Sequence, residues 1–181
     1  MSKKAKVQKE IEEAFGPTQS ISYQYRMKTP YTFATIHEAM RFKCVLLAGN
    51  PRVCLKDINI LGSHIPKDTT VVPDVQSVCF DPKLWETPQK FNPNHFLDKN
   101  GQFVDREELL LFGAGARACV GKELAKMELF IFLTNLLRTF NFRLPEGVEE
   151  VSTKPVLGLT MTPQHYKCWK GCGKIGTFSH C

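Results

Sequence analysis

Long apolar runs are missing from this sequence. The most apolar stretch, Leu129 to Leu133, spans five residues and sits beside Glu128. A bilayer-spanning helix needs roughly 20 such residues, so none is expected. The start, Met1-Ser2-Lys3-Lys4-Ala5-Lys6, is basic but is not followed by the apolar stretch of a secretory leader. Cysteine lacks a framework: there are 7, an odd number at irregular spacings. Free thiols in a reducing compartment are therefore the expectation. Basic residues are not gathered either. The net charge is +6, yet the only cluster is Lys3, Lys4 and Lys6, with no interleaved aromatics. That pattern argues against a nucleic-acid groove and for a solvated surface, with at most one patch for an acidic partner. Internal repeats and low-complexity tracts are also missing. With 43% hydrophobic and 23% charged residues the chain has the composition of a folded domain.

Three segments carry helical periodicity. Val7, Ile11 and Phe15 recur every four positions and predict a helix over 7–15, stopped by Gly16-Pro17. Pro30 to Phe42 predicts a second, with Thr29 as N-cap, Pro30 in the first turn, and Glu38 and Arg41 as neighbours three apart. A third is expected from about Val120 to Arg138. Its leucines leave little polar surface, so it should be largely buried. Between these, residues 52–79 read as strands and predict a small antiparallel sheet, and Phe140 to Leu144 alternates like a further strand. A hairpin is expected over Val156 to Met161. Residues 80–118 are rich in Pro, Asn, Asp and Gly and read as a long irregular stretch, which in a compact domain is usually functional.

The chemically informative segment is Phe112-Gly113-Ala114-Gly115-Ala116-Arg117-Ala118-Cys119-Val120-Gly121. Its glycines permit a tight loop that delivers Cys119 to the start of a helix. The helix dipole and free N–H groups there favour a thiolate, and Arg117 adds positive charge two residues away.

This segment resembles the cytochrome P450 signature Phe-x-x-Gly-x-Arg-x-Cys-x-Gly at every fixed position. Glu38-Ala39-Met40-Arg41 resembles the family's Glu-x-x-Arg helix motif. Phe91-Asn92-Pro93-Asn94-His95-Phe96 resembles the segment that braces it, with His95 where many members have Arg. The order and spacing are those of the microsomal branch that oxidises drugs and lipids. The resemblance implies a mainly α fold with small antiparallel β-sheets (α+β), the C-terminal portion of the P450 architecture, over 1–167. Residues 168–181 form a divergent tail.

It further implies haem b as cofactor, with Cys119 as the proximal iron ligand whose thiolate favours O–O cleavage. Phe112 would shield the sulfur, nearby backbone N–H groups would tune it, and Gly121 would complete the loop. Arg117 and Arg52 would pair with haem propionates. Glu38, Arg41 and His95 would form a buried structural network without a catalytic role. Residues 46–50 and 157–160 would line the side that takes a small apolar organic substrate. Lys122 and Lys126 would lie on the face that meets an NADPH-cytochrome P450 reductase, the source of electrons. An endoplasmic reticulum membrane location is implied as well, although no anchor is visible in this chain.

Simpler readings stand beside these. Cys44, Cys54 and Cys79 read as small buried hydrophobes. Arg52 reads equally as a solvated charge at a strand end. Cys168, Cys172, His180 and Cys181 offer four soft ligands, but Cys-x3-Cys-x7-His-Cys is not a common zinc spacing, so incidental cysteines are expected. The first helix begins almost at Met1, and the family's anchor and oxygen-activating helix are not represented. A piece of a longer fold is therefore expected. Two functions follow: a haem-thiolate monooxygenase inserting one oxygen atom of O2 into an organic substrate, or a non-catalytic fragment serving as an interaction piece.

Overall fold

The computed structural model describes residues 2–46, 48–144, 155–156 and 162–163. The chain divides into two units, Met1–Phe142 and Arg143–Cys181. Among the described residues of the second unit, β5 (Pro155–Val156) pairs antiparallel with β6 (Thr162–Pro163), where the sequence predicts a hairpin. The Cys168–Cys181 tail and its metal reading lie outside the described residues.

The first unit is built on three helices. Helix α1 spans Lys3–Phe15, four residues longer at its start than the apolar period alone suggests. Ser2 caps it, its Oγ accepting from Ala5 N–H at 3.2 Å. The chain leaves α1 through Gly16 at φ +58°, a dihedral that disfavours any residue with a Cβ. Helix α2 spans Pro30–Phe42 and is buried on most sides. Helix α4 (Lys122–Thr139) packs against both. Val7, Ile11 and Phe15 of α1 meet Phe33 and Ile36 of α2 and Phe130 of α4 in one apolar core. Each such side chain contributes roughly 1.5–3 kcal/mol on burial.

The start of α2 departs from expectation. Thr29 occupies the N-cap position, but its hydroxyl donates to Arg26 O and leaves the helix amides open. Glu10 of α1 takes them instead: its carboxylate accepts from Tyr31 N–H (2.9 Å), Thr32 N–H (2.7 Å) and Thr32 Oγ1 (2.6 Å). A carboxylate at a helix N-terminus gains from both hydrogen bonding and the dipole. Glu10→Ala is therefore expected to cost about 2 kcal/mol in a urea denaturation, with Glu10→Gln losing less.

The amino-terminal lysines are not a free basic patch. Lys4 donates to Asn141 Oδ1 and Phe142 O, and Lys6 lies 3.8 Å from the Tyr31 ring centroid.

Residues 52–71 form two separate ribbons and not one sheet. Strand β1 (Arg52–Val53) pairs with β4 (Thr70–Val71), and β2 (Ile58–Ile60) pairs with β3 (Ser63–Ile65). The ladder breaks between them because Pro66 has no N–H to give, and Lys67 N–H turns to Asp57 Oδ1 at 2.7 Å. Leu61 and Gly62, both at positive φ, close the β2–β3 hairpin.

Residues 75–79, read as part of the strand stretch, form a short helix α3 (Val75–Cys79), because the Asp74 carboxylate caps its first turn by accepting from Ser77 N–H. Residues 80–118 then run irregularly, punctuated by short 3-10 turns. Helix α4 (Lys122–Thr139) begins two residues later than its apolar pattern suggests. The expectation that it is largely buried fails on one side: Leu124, Leu129, Phe132 and Leu136 are exposed, Phe132 by 64%. The predicted strand at 140–144 does not form. Phe140 ends α4 in extended backbone, and no strand among the described residues pairs with it. No helix of the described residues is long and apolar enough to cross a membrane.

Candidate functional site

The loop before α4 is shaped by its glycines. A 3-10 turn over Leu110–Phe112 ends at Gly113 (φ +71°), and a second turn begins at Gly115 (φ +66°). Cys119 N–H donates to Phe112 O at 2.8 Å and ties the two ends of the loop together. That amide is therefore unavailable to the cysteine's own sulfur. The thiol of Cys119 is exposed. Gly121 sits at the N-cap of α4, where an added Cβ would lie 3.8 Å from the Cys119 Sγ. A side chain at 121 would thus crowd whatever approaches the sulfur.

Cys119 opens onto a cleft of about 1240 Å³, larger than the roughly 300–1,000 Å³ of ordinary ligand pockets. Phe112 and Arg117 line it from the same loop. Arg52 enters from β1 and donates through Nη2 to the Arg117 backbone carbonyl at 3.2 Å, and both arginines line the cleft together with Cys119. Leu46, Gly49 and Asn50 also line it, and residue 47 lies outside the described residues, as do 157–160. The cleft therefore joins an exposed sulfur ligand, two cations and a mostly apolar lining. This donor set fits a large flat apolar group that carries a metal needing one soft ligand and peripheral carboxylates needing arginines.

Behind the cleft lies a buried polar network. Glu38 and Arg41 have no solvent exposure and pair bidentately, with both N···O distances 2.8 Å. Glu38 also accepts from Asn92 N–H at 2.7 Å, and its Oε2 lies 3.2 Å from His95 Nδ1. Thr87 N–H points at His95 Nε2 (3.3 Å), and a backbone amide can only donate. Nε2 is therefore the acceptor and Nδ1–H donates to Glu38. Arg41 spends its remaining donors on carbonyls: Cys79 O (2.6 Å), Pro88 O (3.0 Å) and Lys90 O (3.3 Å). One arginine thus pins the end of α3 and the loop after it to α2. Trp85 closes the network, its ring 5.5 Å from that of His95 and its Nε1 donating to Val78 O.

Several of these partners are invisible in the sequence. The carbonyls that saturate Arg41 carry no residue identity, and Thr87 and Asn92 are common loop residues. The closest available signal is Trp85, a large aromatic inside a stretch otherwise rich in Pro, Asn and Asp. Lys126 is a correction. It is buried, with its Nζ 3.6 Å from Asp105 Oδ2, and does not offer a free charge to a partner. Lys122, at the start of α4, is half-buried.

Residues 2–169 match the family model described as Cytochrome P450. Among curated proteins the chain is similar to Cytochrome P450 2K6 of Danio rerio, 46% identical over 167 residues, covering 91% of this chain and 33% of that protein. It is also similar to Cytochrome P450 2D14 of Bos taurus (41% identical, 90% of this chain, 32% of that protein) and 2D4 of Rattus norvegicus (42%, with the same coverage). The chain thus spans about a third of the length of the curated relatives it matches. A match over nearly all of the chain, joined to a signature cysteine opening on a cleft with two arginines, shows that the chain belongs to the cytochrome P450 family.

Proposed function

We propose that this chain is the haem-binding third of a haem-thiolate monooxygenase, in which Cys119 would hold the iron. The observation that carries this reading is the exposed Cys119 thiol on the wall of the large cleft, beside Arg52 and Arg117. The thiolate of Cys119 would hold the metal, and the guanidinium groups of Arg52 and Arg117 would take the propionates. Phe112 covers one flank of the sulfur. The N–H groups of Val120 and Gly121 meet no acceptor among the described residues and would be free to temper the sulfur's basicity. Glu38, Arg41 and His95 keep the preceding loops in place and take no part in chemistry. Haem, when bound, supplies the activation of O2 that inserts one oxygen atom into an organic substrate.

The substrate class that suits the lining of Leu46, Gly49 and Leu111 is a small apolar organic molecule. By family, electrons come from NADPH through a reductase that docks at the proximal face near Lys122, and the whole protein resides at the endoplasmic reticulum membrane. Residues 1–167 form the family domain and 168–181 a separate tail. A second reading, a non-catalytic interaction piece, is favoured by the exposed apolar side of α4.

A carbon monoxide difference spectrum of the reduced, haem-loaded chain separates the two. The expected result is a strongly red-shifted Soret band that Cys119→Ser abolishes while circular dichroism stays unchanged, because the thiol packs against no core residue. A spectrum identical in the serine variant would leave the interaction reading standing.

A further inference from the structure

Two other cysteines meet inside the first unit. Cys44 lies just beyond the C-terminus of α2 and Cys79 is the last residue of α3. They pack together with Val75, flanked by Phe80 and Leu111, and their exposures are 2% and 0%. Their side chains are neighbours in that cluster. Cys79 beside it lowers the Cys44 thiol's pKa to about 7, whereas Cys44 and burial push that of Cys79 well up. Cys44 also belongs to the lining of the large cleft, the side from which an oxidant would have to approach. The backbone around the pair is held firmly, since Arg41 donates to Cys79 O at 2.6 Å.

We propose that Cys44 and Cys79 are a redox-active thiol pair that a hydroperoxide converts into an intramolecular disulfide. The Cys44 thiolate attacks one peroxide oxygen, the O–O bond breaks, and a sulfenic acid forms on Cys44 as hydroxide or alkoxide leaves and takes a proton. The Cys79 sulfur then attacks Cys44 Sγ and the S–O bond breaks. The oxygen departs as water, carrying the Cys79 proton. Two thiols are oxidised by two electrons and one peroxide is reduced. Bridging brings the two sulfurs to about 2.05 Å.

The bridge has a structural consequence. Cys44 Sγ now lies 2.7 Å from Leu46 O as its donor, and a disulfide sulfur has no proton to give. Oxidation therefore releases the Val45–Leu46 turn, which lines the cleft. The oxidation state of the pair thereby alters the lining of the cleft that also holds Cys119.

The test is peptide mapping after peroxide treatment of the whole chain at neutral pH, with non-reducing digestion and thiol alkylation. The expected result is a Cys44–Cys79 cross-linked peptide, reversed by dithiothreitol, and parallel loss of alkylation at both positions. It should form faster in native buffer than in denaturing urea, because the fold holds the sulfurs together. Both thiols remaining free once exposed Cys119 has oxidised would overturn the proposal. So would a cross-link to Cys54 or Cys119, or equal rates in urea.

Discussion

Arg41→Leu is expected to remove roughly 3–5 kcal/mol of stability, because it leaves the Glu38 carboxylate buried without its counter-charge. Native domains hold only about 5–15 kcal/mol in total, so the variant should sit at the edge of folding. The loss has two parts. The carboxylate keeps its bonds from Asn92 N–H and His95 but loses both guanidinium contacts at 2.8 Å. The carbonyls of Cys79, Pro88 and Lys90 lose their donor at the same moment. Arg41→Lys should rescue little, since one ammonium cannot span a bidentate carboxylate and three carbonyls. The double variant Glu38→Leu, Arg41→Leu should be less damaged than either single change, as the stranded charge is gone. Urea denaturation of the unchanged chain, Glu38→Leu, Arg41→Leu, Arg41→Lys and the double variant measures this. Simple additivity of the single losses would contradict the account.

Acidification from pH 6.5 towards 4 is expected to cost about 3 kcal/mol through His37 alone. His37 is fully buried in α2, with its ring 4.4 Å from Phe33, 4.7 Å from Phe103 and 5.6 Å from Phe96. Nδ1 lies 2.9 Å from Phe33 O and donates to it, while Nε2 has no partner. Burial among these rings lowers its pKa from 6.5 to about 4, against the opposing pull of the Phe33 carbonyl. Lys126 adds to the lowering, and Asp105 and Glu123 oppose it.

The direction follows from proton counting. Between the two values the unfolded chain binds a proton at position 37 and the folded chain does not. Stability is therefore complete above 6.5 and falls as pH drops, at about 1.4 kcal/mol per pH unit, levelling below 4. His37→Leu keeps the volume and removes the titration. Its stability should be nearly flat between pH 6.5 and 5, where few carboxylates titrate. A slope unchanged by the substitution would place the acid sensitivity elsewhere.

Some of this protein was determined by local sequence alone. Periodicity placed α1, α2 and α4 within a few residues, because an apolar face at period 3.6 must find a core whichever partner supplies it. The glycine positions around Cys119 announced a tight loop ahead of a helix, because positive φ at 113 and 115 is a property of the residue type. The resemblance of that loop to a family signature did the rest for identity.

Tertiary structure decided the remainder. Glu10 caps α2 from another helix, and no pattern within residues 29–33 could reveal a partner twenty residues away. Glu38 and Arg41 read as a surface pair in isolation and became the buried hub of the first unit only because three chain carbonyls converge on one guanidinium. Lys126 turned inward because Asp105 waits there. The Phe140–Leu144 alternation stayed without a ladder, since a strand exists only when another backbone meets its hydrogen bonds. Cys44 and Cys79, 35 positions apart, carry no local sign of their contact. In each case the deciding partner is a backbone group or side chain brought near by folding, and contacts of that kind leave no periodic trace in the sequence.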